Sequence, residues 1–224
     1  MRTRPIDAVL LDMDGTILTS IKAAERVWAA WAVGRGLDVE AFLPTIHGVQ
    51  SVETIRRLGL PGVDPEQEAA AITRAEIADV VGIEAIAGAA AFLAALAVDR
   101  WAIVTSAPRA LALRRIEAAG LPVPPLLIAA EDVARGKPAP DCFQLAAQRL
   151  GTTADRCLVV EDSVAGVAAA ESAGAMVLVV TATHHAPMDF PHPAILDYRE
   201  LTLEPSDGAL AIRHAARTWA LRGA

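Results

Sequence analysis

From Gly88 onwards the chain alternates short apolar segments with helical segments, and no other feature restricts its possible folds as strongly. The apolar segments are short, as buried strands are, and most of the helical segments end at a glycine. Strands are predicted over 101–105, 126–129, 157–160 and 176–180, and helices over 89–96, 108–119, 141–150 and 163–173. Strands that alternate with helices form a parallel sheet with helices on both faces. The sequence therefore predicts an α/β fold with a doubly wound parallel sheet.

A purely helical stretch follows the first strand, which is predicted over 8–11. The helices of this stretch are expected to begin at Ser20, at Ser51 and at Asp64, because these residue types can cap the first turn of a helix. The third helix is expected to run to about Val81. This stretch contains no apolar segment that predicts a strand.

The helical stretch therefore divides the chain into two predicted parts. Residues 19–84 are predicted to form an all-α helical cap domain, inserted in a Rossmann-like core of residues 1–18 and 85–224. In the C-terminal part of the core, two alternating apolar pieces around Asp207 and Gly208 indicate a hairpin.

Composition excludes several classes of protein. With 224 residues, of which 54% are hydrophobic, the chain can bury a sizeable core. Mean hydropathy is +0.38, but the longest apolar run, Ala85–Val98, has only 14 residues and is too short to span a bilayer. The net charge of -7 argues against a nucleic-acid partner. Cys142 and Cys157 form neither a disulfide framework nor a zinc motif, so we expect a cytoplasmic protein without a membrane partner.

The first strand and the turn after it have the sequence AVLLDMDGT, in which Asp12 and Asp14 are two residues apart. Because successive side chains of a strand point to opposite faces, these two carboxylates can point the same way. Converging carboxylates repel each other, and a divalent cation such as Mg²⁺ relieves the repulsion. The plain alternative is an acidic turn that ends a strand, which is common for so short a motif.

Polar residues also follow other predicted strands. Thr105 and Ser106 end one strand, and Glu161 and Asp162 follow another, while Lys137 lies in the loop RGKPAPD. Each has an ordinary explanation, as a helix cap, as negative charge at a helix N-terminus or as a solvated lysine. Ligands of open α/β sheets bind outside the carboxyl ends of the strands, so these residues are predicted to meet in one crevice.

The motifs DMDGT, VTS, GKPAPD and VVEDSVAGVAAA, in this order and spacing, resemble the four motifs of the haloacid dehalogenase superfamily. A helical cap after the first motif is similar to the phosphoglycolate phosphatase and β-phosphoglucomutase type. Within that type the chain looks most like bacterial sugar phosphatases and the yeast 2-deoxyglucose-6-phosphate and glycerol-phosphate phosphatases. Some relatives carry arginine where this chain has Gln50, which bears on the substrate.

The resemblance implies Mg²⁺-dependent hydrolysis of a small sugar or polyol phosphate through an aspartyl-phosphate. It implies that Asp12 is the nucleophile and that Asp14 is the general acid and base. It further implies a phosphate site formed by Thr105, Ser106 and Lys137, the last also counted as catalytic, and a metal site formed by Asp12, the Asp14 carbonyl, Asp162 and Glu161, with Glu161 adjacent to the ion or bound through water.

The cap is expected to select the substrate. His47, Gly48 and Gln50 lie in a loop between cap helices, where the resemblance places groups that contact sugar hydroxyls. The alternative for His47 is a structural histidine, although ligand-binding residues favour loops. We therefore predict a small-molecule partner, no nucleic acid and a monomer or weak dimer.

Two other functions remain as alternatives. A sugar phosphomutase of the β-phosphoglucomutase type would share the aspartyl-phosphate. Thr16 favours a phosphatase, because the resembling phosphatases have threonine where that mutase has valine, and its hydroxyl can hydrogen-bond Asp14. A non-catalytic, receiver-like phosphate-binding domain would have no reason to contain an inserted helical cap.

Overall fold

The computed structural model describes residues 2–184, 189–206, 209–215 and 217–222 of the chain. Strands and helices alternate from residue 84 to residue 180, and the described chain has only helices between its third and fourth strands. In chain order the elements are β1 (Arg2–Ile6), β2 (Ala8–Leu11), β3 (Leu18–Thr19), α1 (Ile21–Gly34), α2 (Val39–Phe42), α3 (Ser51–Leu58), α4 (Pro65–Ala78), β4 (Glu84–Ala85), α5 (Ala89–Ala95), β5 (Trp101–Val104), α6 (Arg109–Ala118), β6 (Leu127–Ile128), α7 (Asp141–Arg149), β7 (Cys157–Glu161), α8 (Val164–Ser172), β8 (Met176–Val180), β9 (Ala194–Ile195), β10 (Thr202–Ser206), β11 (Ala209–His214) and β12 (Arg217–Arg222).

Among the described residues, six strands form a parallel sheet in the order β6-β5-β2-β7-β8-β9. The predicted doubly wound parallel sheet is thus confirmed. The chain builds outwards from β2 to β5 and β6 on one side, and then returns to β7, β8 and β9 on the other. The strand order therefore reverses at β2, which is where open α/β sheets bind their ligands.

The side chains of β2 show why the sheet is buried on both faces. Val9 and Leu11 belong to one apolar cluster, which includes residues of α5 and α6, whereas Ala8 and Leu10 belong to a second, which includes residues of α7 and α8. All four are almost completely buried. The alternation of a strand thus supplies both cores, and helices cover both faces of the sheet.

We use the name cap segment for residues 19–84, which contain α1 to α4. These helices enclose an apolar cluster of their own, formed around Trp28, Phe42 and Ile55. At α4 the Asp64 side chain accepts hydrogen bonds from the first-turn amides, as predicted. The helix ends at Ala78, earlier than predicted.

The strands β3 and β4 pair antiparallel with each other, Leu18 with Ala85 and Thr19 with Glu84. This pairing brings the two ends of the cap segment together at the edge of the core. The domain boundaries at 18–19 and 84–85 stay a prediction, and the pairing supports it.

A second, four-stranded sheet has the order β1-β12-β11-β10. The predicted hairpin is confirmed as the antiparallel pair β10 and β11, although its turn at 207–208 lies outside the described residues. The sequence did not predict β1 or β12, because the arginines and the proline of the segment RTRPI conceal any apolar pattern. In the described part of the chain, no helix is both long and apolar enough to cross a membrane.

Candidate active site

The turn after β2 places Asp12 at the centre of the carboxyl edge of the sheet. The Asp12 amide donates to the Val160 carbonyl at 2.9 Å, which continues the pairing of β2 with β7 by one residue. Gly15 then turns the chain with a φ of +86°, and a Cβ at this position would lie 2.0 Å from Oδ2 of Asp162. Only glycine fits this turn, because it allows both the positive φ and the close approach of Asp162.

Lys137 is the cation at the centre of the site. Its Nζ donates to Oδ1 of Asp12, to Oε1 of Glu161 at 2.7 Å and to the Val104 carbonyl at 3.1 Å. Burial acts to lower the pKa of Lys137, but Asp12 and Glu161 outweigh it and raise the pKa well above its usual value. The lysine is therefore a permanent positive charge beside Asp12.

Glu161 is buried completely at the end of β7 and is held by several donors. Its Oε2 accepts from the amides of Asp162 at 2.7 Å and Ser163 at 2.8 Å, and from the Ser163 hydroxyl at 3.0 Å. Its Oε1 accepts from Lys137. Glu161 therefore accepts hydrogen bonds both from Lys137 and from the residues that precede α8.

One acidic cluster in the described chain has the geometry to hold a metal ion. Ligand oxygens of Asp12, Glu161 and Asp162 all lie within 4.8 Å of one another. Burial raises the pKa of Asp12 to about 8, against the lowering effect of Lys137. Burial and the neighbouring Glu161 and Asp12 raise the pKa of Asp162 as well. A divalent cation would offset the cost of ionising both aspartates, so these residues fit such an ion.

Asp14 lies beside this cluster, and its side chain is held by other partners. One oxygen accepts from the Ser20 hydroxyl, and the other lies 2.9 Å from the Arg115 guanidinium. Arg115 in turn contacts Glu76 of the cap segment at 3.0 Å. Burial raises the pKa of Glu76 to about 7, and Arg115 opposes this shift.

Two expectations about hydroxyl groups near Asp14 were wrong. Ser20 precedes α1 but makes no side-chain hydrogen bond to the helix, because its hydroxyl is turned towards Asp14. Thr16 donates to Oδ1 of Asp162 at 3.2 Å instead of to Asp14. The turn at Gly15 directs the Thr16 side chain towards the end of β7.

Thr105 and Ser106 follow β5 at the same edge of the sheet. The buried Thr105 hydroxyl accepts from the Ala107 amide at 3.0 Å, and the Ser106 hydroxyl donates to the Gly48 carbonyl at 3.1 Å. The contact between Ser106 and Gly48 joins the core to the cap segment.

A cavity of about 100 Å³ lies between the cap segment and the carboxyl edge of the sheet. The structure brings most of the predicted site residues to its walls: Asp12, Asp14, His47, Gly48, Thr105, Ser106 and Asp162. His47 has Nε2 at 3.4 Å from Oε1 of Glu25, within the cap segment. The cavity therefore has carboxylates and hydroxyls on the core side and an imidazole on the cap side.

Gln50 lies outside this cavity. Its side-chain nitrogen Nε2 donates to the Ala130 carbonyl at 3.2 Å, and the same side chain packs against Gly136. It lines a separate depression beside the loop of Lys137.

Sequence reasoning missed the cavity residues that hold Asp14 directly or through Arg115, namely Ser20, Glu76 and Arg115 itself. The only signal for Arg115 was its spacing in α6, where it falls on the same face as the buried Leu111 and Ala112. A charged residue on the apolar face of a helix needs a buried partner. The sequence did not show that this partner would come from the cap segment.

The comparisons with known proteins agree with the geometry. The family model of haloacid dehalogenase-like hydrolases matches residues 6–174. Hexitol phosphatase A of Escherichia coli is 41% identical over 186 residues, which are 81% of this chain and 84% of the relative. The 2-deoxyglucose-6-phosphate phosphatase 1 of Saccharomyces cerevisiae is 29% identical over 201 residues, which are 80% of this chain and 81% of the relative.

A solved structure supports the same assignment. A HAD family hydrolase from Deinococcus radiodurans, with bound phosphate and sodium, is 32% identical to this chain. It matches with a TM-score of 0.59 over 84% of each chain. The resemblance found in the four sequence motifs is thereby confirmed, and the chain belongs to the haloacid dehalogenase-like hydrolase family.

Proposed function

We propose that this phosphoric monoester hydrolase releases inorganic phosphate from small sugar or polyol phosphates, with Mg²⁺ and through an aspartyl-phosphate on Asp12. The observation that carries the proposal is the contact of Asp12 with Lys137 inside an acidic cluster at the switch point of the sheet. The identity of 41% to a hexitol phosphatase supports a polyol or sugar phosphate as substrate.

Asp12 is the proposed nucleophile. It lies on the cavity wall with its carboxylate fixed by Lys137, and carboxylates form phosphoryl intermediates in other phosphoryl-transfer enzymes. Its oxygen attacks phosphorus, and the bond from phosphorus to the substrate oxygen breaks. Lys137 and the groups of Thr105 and Ser106 then bind the phosphate oxygens as charge moves among them.

Asp14 is the proposed general acid and base. It would donate a proton to the departing sugar oxygen, and it would then take a proton from the water that attacks the aspartyl-phosphate. General acid–base catalysis contributes about 10²- to 10⁴-fold, far less than phosphate-monoester hydrolysis requires. The nucleophile and the cationic groups must therefore supply most of the acceleration.

Asp12 and Asp162 are the residues that would hold Mg²⁺, with the Asp14 carbonyl as a further oxygen ligand. Glu161 already accepts hydrogen bonds on both oxygens, which favours an indirect role for it through water. When bound, the ion supplies positive charge between the anionic nucleophile and the anionic phosphate. The site contains more carboxylates than cations, which supports the need for an additional positive charge. The carboxylates are Asp12, Asp14, Glu76, Glu161 and Asp162, and the cations are Lys137 and Arg115.

The described structure favours hydrolysis over the mutase reaction. A mutase must hold a bisphosphate and so needs a second anion site in the cap. Gln50 lies outside the cavity, and Arg56 and Arg57 both pair with Glu53 on the surface of α3. We therefore expect water to reach the aspartyl-phosphate before a second sugar hydroxyl does.

The test is phosphate release from a panel of hexitol, hexose and glycerol phosphates, measured with Mg²⁺ and with a chelator. We expect stoichiometric inorganic phosphate, loss of activity in the chelator and no stimulation by catalytic amounts of sugar bisphosphate. Isomerised sugar phosphate that forms faster than free phosphate would favour the mutase. Phosphate binding without turnover would favour the receiver-like domain.

A further inference from the structure

Arg115 is a buried cation that the proposed mechanism does not use. Its side chain is only 7% exposed, although a guanidinium stays charged at any physiological pH. One terminal nitrogen lies 2.9 Å from Oδ2 of Asp14, and the other lies 3.0 Å from Oε1 of Glu76. Among the described residues its Nε has no hydrogen-bond partner. Within the described ranges its ion-pair partners are thus the proposed acid, Asp14, and a carboxylate of the cap segment, Glu76.

The two partners of Arg115 come from different parts of the molecule. Asp14 lies in the turn after β2, whereas Glu76 lies on α4 of the cap segment. The Glu76 carboxyl, 5% exposed, also accepts a hydrogen bond from Trp28 of α1. Glu76 is therefore fixed by the packing of the cap segment, and Arg115 connects that packing to Asp14.

The position of Asp14 matters because an acid must lie within hydrogen-bond reach of the oxygen that it protonates. A misplacement of about 1 Å can reduce a rate by about 10²-fold. Ser20 holds one carboxylate oxygen and Arg115 the other, so the carboxylate cannot rotate freely while both contacts persist.

We infer that Arg115 is a positioning residue that orients Asp14 towards the leaving oxygen, and that Glu76 couples this orientation to the docking of the cap segment on the core. The inference rests on the proposed phosphatase function. It predicts that loss of Arg115 impairs only substrates whose leaving group needs a proton.

Three phosphate monoesters separate the possible roles of Arg115. A hexitol phosphate has a leaving group that needs a proton and carries hydroxyls, butyl phosphate needs the proton but has no hydroxyl, and p-nitrophenyl phosphate needs neither. The kinetic constant kcat/KM covers the steps up to departure of the leaving group. The matched control is Arg114→Met, which alters an exposed neighbour that pairs with Glu117 on the same helix.

For Arg115→Met we expect kcat/KM to fall about 10²-fold for hexitol phosphate and butyl phosphate alike. For p-nitrophenyl phosphate we expect a loss of less than about threefold, because nitrophenolate leaves without a proton. Glu76→Gln should give the same pattern with a smaller loss, and its combination with Arg115→Met should add little, since both act through one chain of contacts. Glu66→Gln, an exposed change on the same helix, is its control.

Equal losses on all three substrates would overturn the inference, because they would assign Arg115 to folding or to phosphate binding. A loss confined to hexitol phosphate would also overturn it and make Arg115 a ligand of substrate hydroxyls. Thermal unfolding of each variant identifies misfolded protein, and Arg115→Lys, which keeps the charge, should then show the same substrate pattern with a smaller loss. A wild-type protein that hydrolyses none of the three substrates would overturn the proposed function itself.

Discussion

The Asp162 carboxylate accepts a hydrogen bond from a neighbouring hydroxyl, that of Thr16. Thr16 is completely buried and donates to Oδ1 of Asp162 at 3.2 Å, while Gly15 lies against the same carboxylate. Groups that hydrogen-bond a metal ligand orient it and tune its affinity for the ion. At the scale of the residue, Thr16 therefore belongs with the proposed metal site and not with the acid and base.

Thr16→Val should weaken Mg²⁺ binding without impairing the chemical step. Valine has nearly the same shape but leaves Asp162 without its donor, so we expect the Mg²⁺ concentration for half-maximal activity to rise about 10-fold. The maximal rate at saturating Mg²⁺ should change little. The measurement is a Mg²⁺ titration of phosphate release, with Thr73→Val in α4 as control. An unchanged Mg²⁺ requirement together with a lower maximal rate would instead connect Thr16 to Asp14.

The sequence predicts which side chains lie together in the site, but it does not predict which hydrogen bonds they make. Asp12, Thr105 and Asp162 are predicted to meet because strand ends share one edge of the sheet, and Lys137 is added to them from the loop RGKPAPD. The partners of Asp14, Ser20 and Thr16 depend on turn geometry and on side-chain rotamers. Turn geometry and rotamers depend on neighbours that are distant in sequence, so residue spacing does not determine which hydrogen bonds these side chains make.

The N-terminus of α8 is the element that fixes the proposed site. The Glu161 carboxylate accepts from the first amides of this region, and the Ser163 hydroxyl accepts from the Gly166 amide at 3.0 Å. Negative charge is favourable at a helix N-terminus. A Cβ on Gly166 would lie 1.6 Å from Oε1 of Glu161, so this helix has room for the carboxylate only because it carries glycine there.

Gly166→Ala should destabilise the fold and displace Lys137. The new methyl group would push Glu161 away from Lys137, and the combined overpacking and lost contacts should cost about 3 kcal/mol of unfolding free energy. Chemical denaturation measures this change, and phosphate release should fall in parallel. Gly34→Ala is the control, because nothing lies within 4 Å of a Cβ there.

A Gly166→Ala protein as stable and active as wild type would contradict this account of the α8 N-terminus. Periodicity predicted five of the six strands of the parallel sheet and the helices that cover it, but it missed β9, which has only two residues. It also missed β1 and β12, because these strands pair across almost the whole length of the chain and no local pattern indicates such a pairing.

The cap segment contacts the core at the cavity and beside it, through residues far apart in sequence. Gly48 accepts from Ser106, Gln50 donates to Ala130, and Glu76 contacts Arg115. A cap over an active site can recognise the part of a substrate that projects away from the reacting phosphorus. At the scale of the molecule, substrate choice is thus expected to lie in the cap and chemistry in the core.

His47→Ala should impair the best sugar or polyol phosphate much more than a small aryl phosphate. His47 lines the cavity from the cap side, so its imidazole would contact the leaving group and not the phosphorus. We expect kcat/KM to fall about 10-fold for the polyol substrate, as for one lost hydrogen bond to substrate. The measurement compares both substrates in steady-state assays. His192→Ala, on the far side of the core beside Glu171, is the control. Equal losses on both substrates would remove His47 from substrate selection.

How the cap segment docks could not be predicted from the sequence. The three longer helices of the cap segment and their approximate ends were predicted, whereas the short helix α2 was not. The orientation of the cap segment depends on a few polar contacts between distant residues, such as that of Glu76 with Arg115. The local pattern of apolar and polar residues does not indicate such a contact.

Rapid acid quenching of the reaction with ³²P-labelled substrate shows whether Asp12 carries the phosphoryl group. We expect wild-type protein to retain an acid-stable, base-labile label on the peptide that contains Asp12. Asp12→Asn should be folded, unlabelled and inactive, because it lacks the nucleophile but changes little volume. Phosphate release by Asp12→Asn with Mg²⁺ at saturation, or a label on a different residue, would show that Asp12 is not the nucleophile.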